Sequence, residues 1–160
     1  MELLDLAHGR PHRAVAAGEA IVREGDAASD LYVLLDGSLR VEKGGTLVAT
    51  VTTPGACIGE MALLLGGRAS ATVVASTDAV AAVVADAPTL VADDPQLALG
   101  LARLLAGRLQ VMTSYLADLK LQYADHDGGL GMIDTVLGSL LESGGSRTTL
   151  ASERDPDPEY

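Results

Sequence analysis

The sequence predicts an α+β fold: a small β-roll or jelly-roll interrupted by one helix, then a long C-terminal dimerisation helix and a short terminal helix. Three observations predict it. From Gly18 to about Val84 the chain is a series of short apolar runs separated by glycine turns, the spacing of a sandwich or roll. Inside that series, Ile58 to Val73 reads differently: a short helix opened by a glycine and an acid, a Gly-Gly loop, an arginine, small residues and a strand. Beyond Pro95 the period becomes helical, with Leu105, Leu109, Met112, Leu116, Leu119 and Tyr123 spaced 4, 3, 4, 3 and 4 apart.

Composition bounds what such a fold can do. A chain of 160 residues supports one domain with modest extensions. Apolar residues make up 48%, but there is no Phe, no Trp and only four Tyr, so the core must be aliphatic. A net charge of −11 without any Lys/Arg cluster repels nucleic-acid phosphates, so no nucleic-acid partner is expected. Cys57 is the single cysteine, which excludes an intrachain disulfide. Met1 to Leu6 carries Glu2 and Asp5 and reads as no signal peptide. No stretch reaches the roughly 20 apolar residues that span a bilayer. A cytoplasmic protein without a membrane segment is expected.

Residues 1–16 are expected to be a lead-in with one helical turn around Leu3-Leu4-Leu6, stopped by Gly9 and Pro11. Ala20 to Arg23 is a strand closed by Gly25-Asp26. Leu31 to Leu35 is the next, and Asp36-Gly37 is a hairpin signal because it tolerates positive φ. Leu39-Arg40-Val41-Glu42 alternates as a half-buried strand does. Gly44-Gly45 turns into Leu47 to Val51, and Pro54-Gly55 ends that run. Val73 to Ala75 and Ala79 to Val84 complete the β-rich part. Pro88 to Val91 suggests a short helix. Asp94 followed by Pro95 is an N-cap with proline at the first helical position, opening a helix of about 95–124. Asp125 to Gly129 breaks it. Residues 130–142 then carry Ile133, Val136, Leu137, Leu140 and Leu141 at helical spacing, a short amphipathic helix able to dock a protein partner. Residues 143–160 are polar and acidic and are expected to be disordered.

The informative segment can hold a small phosphate. Amide groups at a helix start attract an anion, a guanidinium offers a planar charged fork, and a carboxylate can accept from a sugar hydroxyl. Its order, Gly59-Glu60-Met61-Ala62-Leu63 … Arg68-Ala69-Ser70-Ala71-Thr72-Val73, resembles the phosphate-binding cassette of cyclic-nucleotide-binding domains, the family of catabolite activators and protein kinase A regulatory subunits. Glu24-Gly25-Asp26 … Leu31-Tyr32-Val33-Leu34-Leu35-Asp36-Gly37 resembles the opening hairpins of the same family, so the likeness runs over roughly 15–124 and the domain over 17–124. In the family pattern the arginine directly precedes a small residue and an alanine. Here Arg68 precedes Ala69, Ser70 and Ala71, so with Gly59 and Thr72-Val73 aligned the arginine slot holds Ala69.

The resemblance implies a ligand, cAMP or cGMP, and a role for each residue. Gly59 would let the backbone approach it, and Met61, Ala62 and Leu63 would offer amide groups. Glu60 would accept the ribose hydroxyl, Arg68 would pair with the cyclic phosphate, and Ser70 and Ala71 would donate a hydroxyl and an N–H. Thr113 on the long helix would read the base. The plainer alternatives are a helix-start acid for Glu60, a solvated loop arginine for Arg68, a small strand-start residue for Ser70 and ordinary helix surface for Thr113. The seam residues Leu105, Leu109, Met112, Leu116, Leu119 and Tyr123 would form a parallel homodimer. The expected function is a stand-alone regulatory module without a DNA-binding domain, not an enzyme, sensing cAMP or cGMP and signalling through its long helix. The alternative is a degenerate domain without nucleotide affinity that acts as a dimeric adaptor. No metal or bound cofactor is expected.

Overall fold

A computed structural model describes residues 3–27, 29–122 and 130–142. The expected tail at 143–160, the seam residue Tyr123 and the last residue of the expected long helix lie outside them. The chain divides into two units, residues 1–105 and 106–160.

In the first unit a 3₁₀ turn, Leu3–Ala7, precedes strands β1 (His12–Val15), β2 (Ala20–Val22), β3 (Leu31–Asp36), β4 (Leu39–Lys43), β5 (Thr46–Val51) and β6 (Cys57–Ile58). Helix α1 (Glu60–Leu65) follows, then β7 (Thr72–Ala75), β8 (Ala79–Val84) and helix α2 (Ala87–Asp93). Two four-stranded sheets result, ordered β1-β8-β3-β6 and β2-β7-β4-β5, with antiparallel pairing throughout. This is the expected β-roll with one inserted helix. Helix α3 (Pro95–Gln122) starts in the first unit and continues into the second, which also holds α4 (Leu130–Glu142). Among the described residues no helix is long and apolar enough to cross a membrane.

The strand period explains the core. Alternate residues of β3 point to opposite faces. Leu34 packs between the sheets with Val15, Ile21, Leu39, Ile58, Val73, Ala75 and Ala79. Leu31 and Val33 face the other way, onto the 3₁₀ turn, Ala87 of α2 and Leu97 and Leu101 of α3. Strands β3 and β8 are therefore covered on both faces and read as nearly continuous apolar runs. The alanines Ala79, Ala81 and Ala82 on β8 are fully or almost fully buried, so small side chains let the neighbouring layers approach where aromatic residues are missing.

Two features differ from the sequence expectation. Residues 12–15, read as part of a lead-in, form β1 and pair with β8 from His12↔Ala82 to Val15↔Ala79. Only Val15 of the four is buried, so this edge strand carries no alternation to read. Asp36-Gly37 makes a turn with the expected positive φ of 88° at Gly37, but it is no hairpin: β3 and β4 belong to different sheets. Glycine is required there for a second reason. A Cβ on Gly37 would lie 2.4 Å from the Asp78 carbonyl oxygen.

Candidate functional site

The cassette is anchored at both ends by backbone packing. Cys57 and Ile58 are buried on β6, which pairs with β3. The chain then turns at Gly59, φ 98°, where a Cβ would lie 2.8 Å from the Asp30 carbonyl oxygen. No other residue fits that contact and that dihedral together. Gly59 is the N-cap of α1, and Glu60, the next residue, is only 3% exposed. A carboxylate at a helix start is favoured by the helix dipole. Ala62 is buried as well, whereas Met61 is 44% exposed.

The first amides of a helix have no partner within it, which leaves those of Glu60, Met61 and Ala62 without an intrahelical acceptor. Leu63 differs from the expectation: its N–H donates to the Gly59 carbonyl at 3.1 Å, closing the first helical turn, and is not available to a ligand. The helix ends at Gly66, φ 89°, with the Gly67 N–H donating to the Ala62 carbonyl at 2.8 Å.

Arg68 is exposed and its guanidinium is engaged. Nη1 donates to the Gly25 carbonyl at 2.7 Å. The backbone around it is pinned to the same loop: Ala27 and Arg68 form an isolated antiparallel bridge, Gly25 N–H donates to the Ala69 carbonyl at 2.8 Å, and Ala69 N–H donates to the Asp26 carbonyl at 2.9 Å. Ala69, in the slot that the family pattern gives to arginine, is buried. Ser70 and Ala71 are half-buried and lead into β7, whose first residue, Thr72, accepts the Glu24 N–H on its Oγ1 at 2.9 Å.

The structure thus gathers Gly59, Glu60, Met61, Ala62, Leu63, Arg68, Ser70 and Ala71 into one continuous loop-helix-loop of the first unit. Thr113 lies in the second unit, half-buried on α3. Of the seam, Leu105, Leu116 and Leu119 are half-buried, while Leu109 and Met112 are 44% and 57% exposed.

Sequence reasoning missed the partner loop. Gly25-Asp26 read there as a turn within a family-like hairpin, yet in the structure Gly25, Asp26 and Ala27 hold the Arg68–Ala69 end of the cassette and the Asp30 carbonyl lies against Gly59 at the other. A shallow cleft is lined by Ile21, Val22, Asp26, Ala27, Ser29, Asp30 and Tyr32. Its two carboxylates make it unsuited to an anion, so within the cassette and its partner loop Arg68 is the charged group able to receive one. Among the described residues no group of three or more His, Cys, Asp or Glu side chains could hold a metal.

An eight-stranded antiparallel roll with a short helix and an arginine loop between its sixth and seventh strands defines a fold class, and a fold by itself does not set a function. The sequence narrows it. Residues 12–88 match the profile of the cyclic nucleotide-binding domain, and the chain therefore carries a domain of that family. The catabolite activator protein of Thermus thermophilus is similar at 32% identity and a TM-score of 0.58, over 78% of this chain. The present chain covers 59% of that protein's length. A protein of a cyclic-GMP-dependent signalling pathway that regulates bacterial phytopathogenesis is 29% identical, with a TM-score of 0.56, over 68% of this chain and 90% of its own. The N-terminal domain of a transcriptional regulator from Streptomyces coelicolor A3(2) is 26% identical with a TM-score of 0.52, over 69% and 81% respectively. A search of curated proteins gives no match.

Proposed function

We propose that this chain is a cytoplasmic regulatory module that binds cAMP or cGMP on the α1 cassette and signals through α3, without catalysing a reaction. The observation that carries the reading is the Glu60 carboxylate, buried at the start of α1 beside a glycine whose positive φ and close approach to the Asp30 carbonyl leave no room for a side chain. A buried acid needs a hydrogen-bonding environment, and a ribose hydroxyl can join it as a donor. The amides of Met61 and Ala62, the Ser70 hydroxyl and the Ala71 N–H supply donors for the phosphate, and Arg68 supplies charge. The regulatory proteins among its structural neighbours support the class, and the cyclic-GMP-dependent pathway of one of them supports cGMP as a candidate beside cAMP. Two copies pair through Leu105, Leu109, Met112, Leu116, Leu119 and Tyr123, and Thr113 contacts the base. Ligand binding shifts the position of α3 only to the extent that its two positions differ in affinity.

One observation favours a second reading. The Arg68 guanidinium already has the Gly25 carbonyl as acceptor, and Ala69 fills the slot one residue on. A domain with those two features can lose nucleotide affinity and serve as a dimeric adaptor, with α4 docking a protein partner. Calorimetric titration with cAMP and then cGMP separates the two. Micromolar binding at about one site per chain supports the sensor. Silence at millimolar nucleotide, in protein first freed of any ligand carried through expression, refutes it and leaves the adaptor.

A further inference from the structure

The second unit holds α4 and most of α3, tied to each other by the ion pair of Lys120 with Asp134. It has no interior of its own: among its described residues none is buried. On its part of α3 the described residues that reach half-burial are Thr113, Leu116, Leu119 and Lys120. On α4 the apolar residues Ile133, Val136, Leu137 and Leu140 reach it and go no further. Helices in water are held mainly by burial of their apolar stripes, and two helices side by side leave half of each stripe uncovered.

The uncovered surface has a definite place on α3. At roughly 100° per residue, Leu109, Met112, Leu116 and Leu119 cluster around one line along the helix. Thr113 and Lys120 lie on one flank of that line, the flank to which Asp134 ties α4. Val111 and Tyr115 lie on the opposite flank, roughly 120° and 80° from the line. They are 72% and 63% exposed, and Met132 on α4 is 75% exposed. A two-stranded coiled coil covers only the narrow seam and would leave the Val111–Tyr115 flank in water. The stripe here has the greater width of a helix with several neighbours, as in a bundle.

We propose that the second unit is half of a four-helix bundle, closed by a second copy of this chain. In it the α3 seams face each other, and α4 of each copy covers the Val111–Tyr115 flank of the other. Each copy offers the surface that it lacks, the condition for a two-fold contact of like with like. Area and charge both favour a second copy. At roughly 180 Å² for a fully exposed side chain of this size, Leu109, Val111, Met112, Tyr115 and Met132 expose roughly 1,100 Å² in two copies, the area of a small specific interface. The chain carries a net charge of −11, yet Leu109 to Ala117 contains no charged residue, so two copies meet there without repulsion between their contact faces. The proposal rests on the pairing through the α3 seam put forward above, and adds α4 and the second flank to it.

The test is sedimentation of the full chain beside the variants Val111→Asp and Met132→Asp. Both side chains are exposed in the single chain, and neither belongs to the clusters that hold the roll together. Loss of association is therefore not loss of fold, which circular dichroism checks. Wild type should sediment at twice the 16.4 kDa of one chain. Each variant should weaken the dimer about tenfold or more, because a charge replaces an apolar contact in both copies. Ser114→Asp adds the same charge on the far side of α3, where Ser114 is exposed, and should leave the dimer unchanged. Association as tight as wild type in either Val111→Asp or Met132→Asp overturns the bundle. The double variant Leu109→Asp, Leu116→Asp reads the seam separately. If it is monomeric while the two flank variants stay dimeric, the seam pairing stands as a two-stranded coiled coil and only the bundle falls. If it stays dimeric, seam and bundle fall together. A wild-type chain that is monomeric at high micromolar concentration also overturns the proposal and leaves this face to a different protein.

Discussion

Replacing Arg68 by alanine separates its two candidate partners, the Gly25 carbonyl and a ligand phosphate, because the two losses differ in size. The Gly25 bond is a charged donor on a backbone carbonyl at 2.7 Å, but the side chain is exposed and water replaces it. Its removal should lower folding stability by only about 0.5 kcal/mol, the low end for a hydrogen bond. A guanidinium on a cyclic phosphate is charge-assisted on both sides, and such bonds contribute about 1.5–3 kcal/mol. The Gly25 bond must break first, so the net is nearer the lower figure, and the affinity loss should be roughly tenfold. Glu60→Ala removes the ribose acceptor and should weaken binding as well. Urea denaturation reads the first quantity and calorimetry with cAMP and cGMP the second. An affinity unchanged in both variants refutes the assignment of this site. An affinity unchanged only in Arg68→Ala shows that the guanidinium stays on Gly25 in the bound state.

Other variants test the fold and the assembly. Leu101 on α3 is completely buried against β3 and β8. Leu101→Ala should lose about 2–5 kcal/mol in denaturant unfolding, and a loss under 1 kcal/mol would mean that the helix start does not close the core. The double variant Leu109→Asp, Leu116→Asp places charge in the α3 seam and should yield a monomer by light scattering; a persistent dimer would put the interface elsewhere. Arg13 Nη2 donates to Glu19 Oε1 at 3.0 Å, and that bond, followed by the Ala16 N–H, holds the Glu19 carboxyl below the usual carboxylate range. A depressed folded pKa gives stabilisation that is present above the unfolded pKa and lost as pH falls through the folded one. Wild type should thus exceed Glu19→Gln in stability at neutral pH, with the gap closing in acid. A gap that is the same at both ends of the titration removes the ion pair from the account.

The sequence by itself determined the alternation of strands and turns, the helix inserted after Gly59, and the start of α3 at Asp94-Pro95. Each of these depends on interactions a few residues apart: side-chain period, a glycine that accepts positive φ, a carboxylate capping amides two and three positions on. It also determined the residue types of the cassette, which lie in one continuous stretch. Only the tertiary structure decided which sheet each strand joins. Asp36-Gly37 has the chemistry of a tight turn, but whether the next strand pairs back or crosses to the second sheet depends on β7 and β8, which occupy the neighbouring places. β1 was illegible because three of its four residues stay outside the core and leave no pattern. The fate of Arg68 was hidden for a related physical reason: its acceptor is 43 residues away in sequence. Local chemistry chooses the element, whereas the direction in which a charged side chain points, and the carbonyl that meets it there, depends on how distant loops pack.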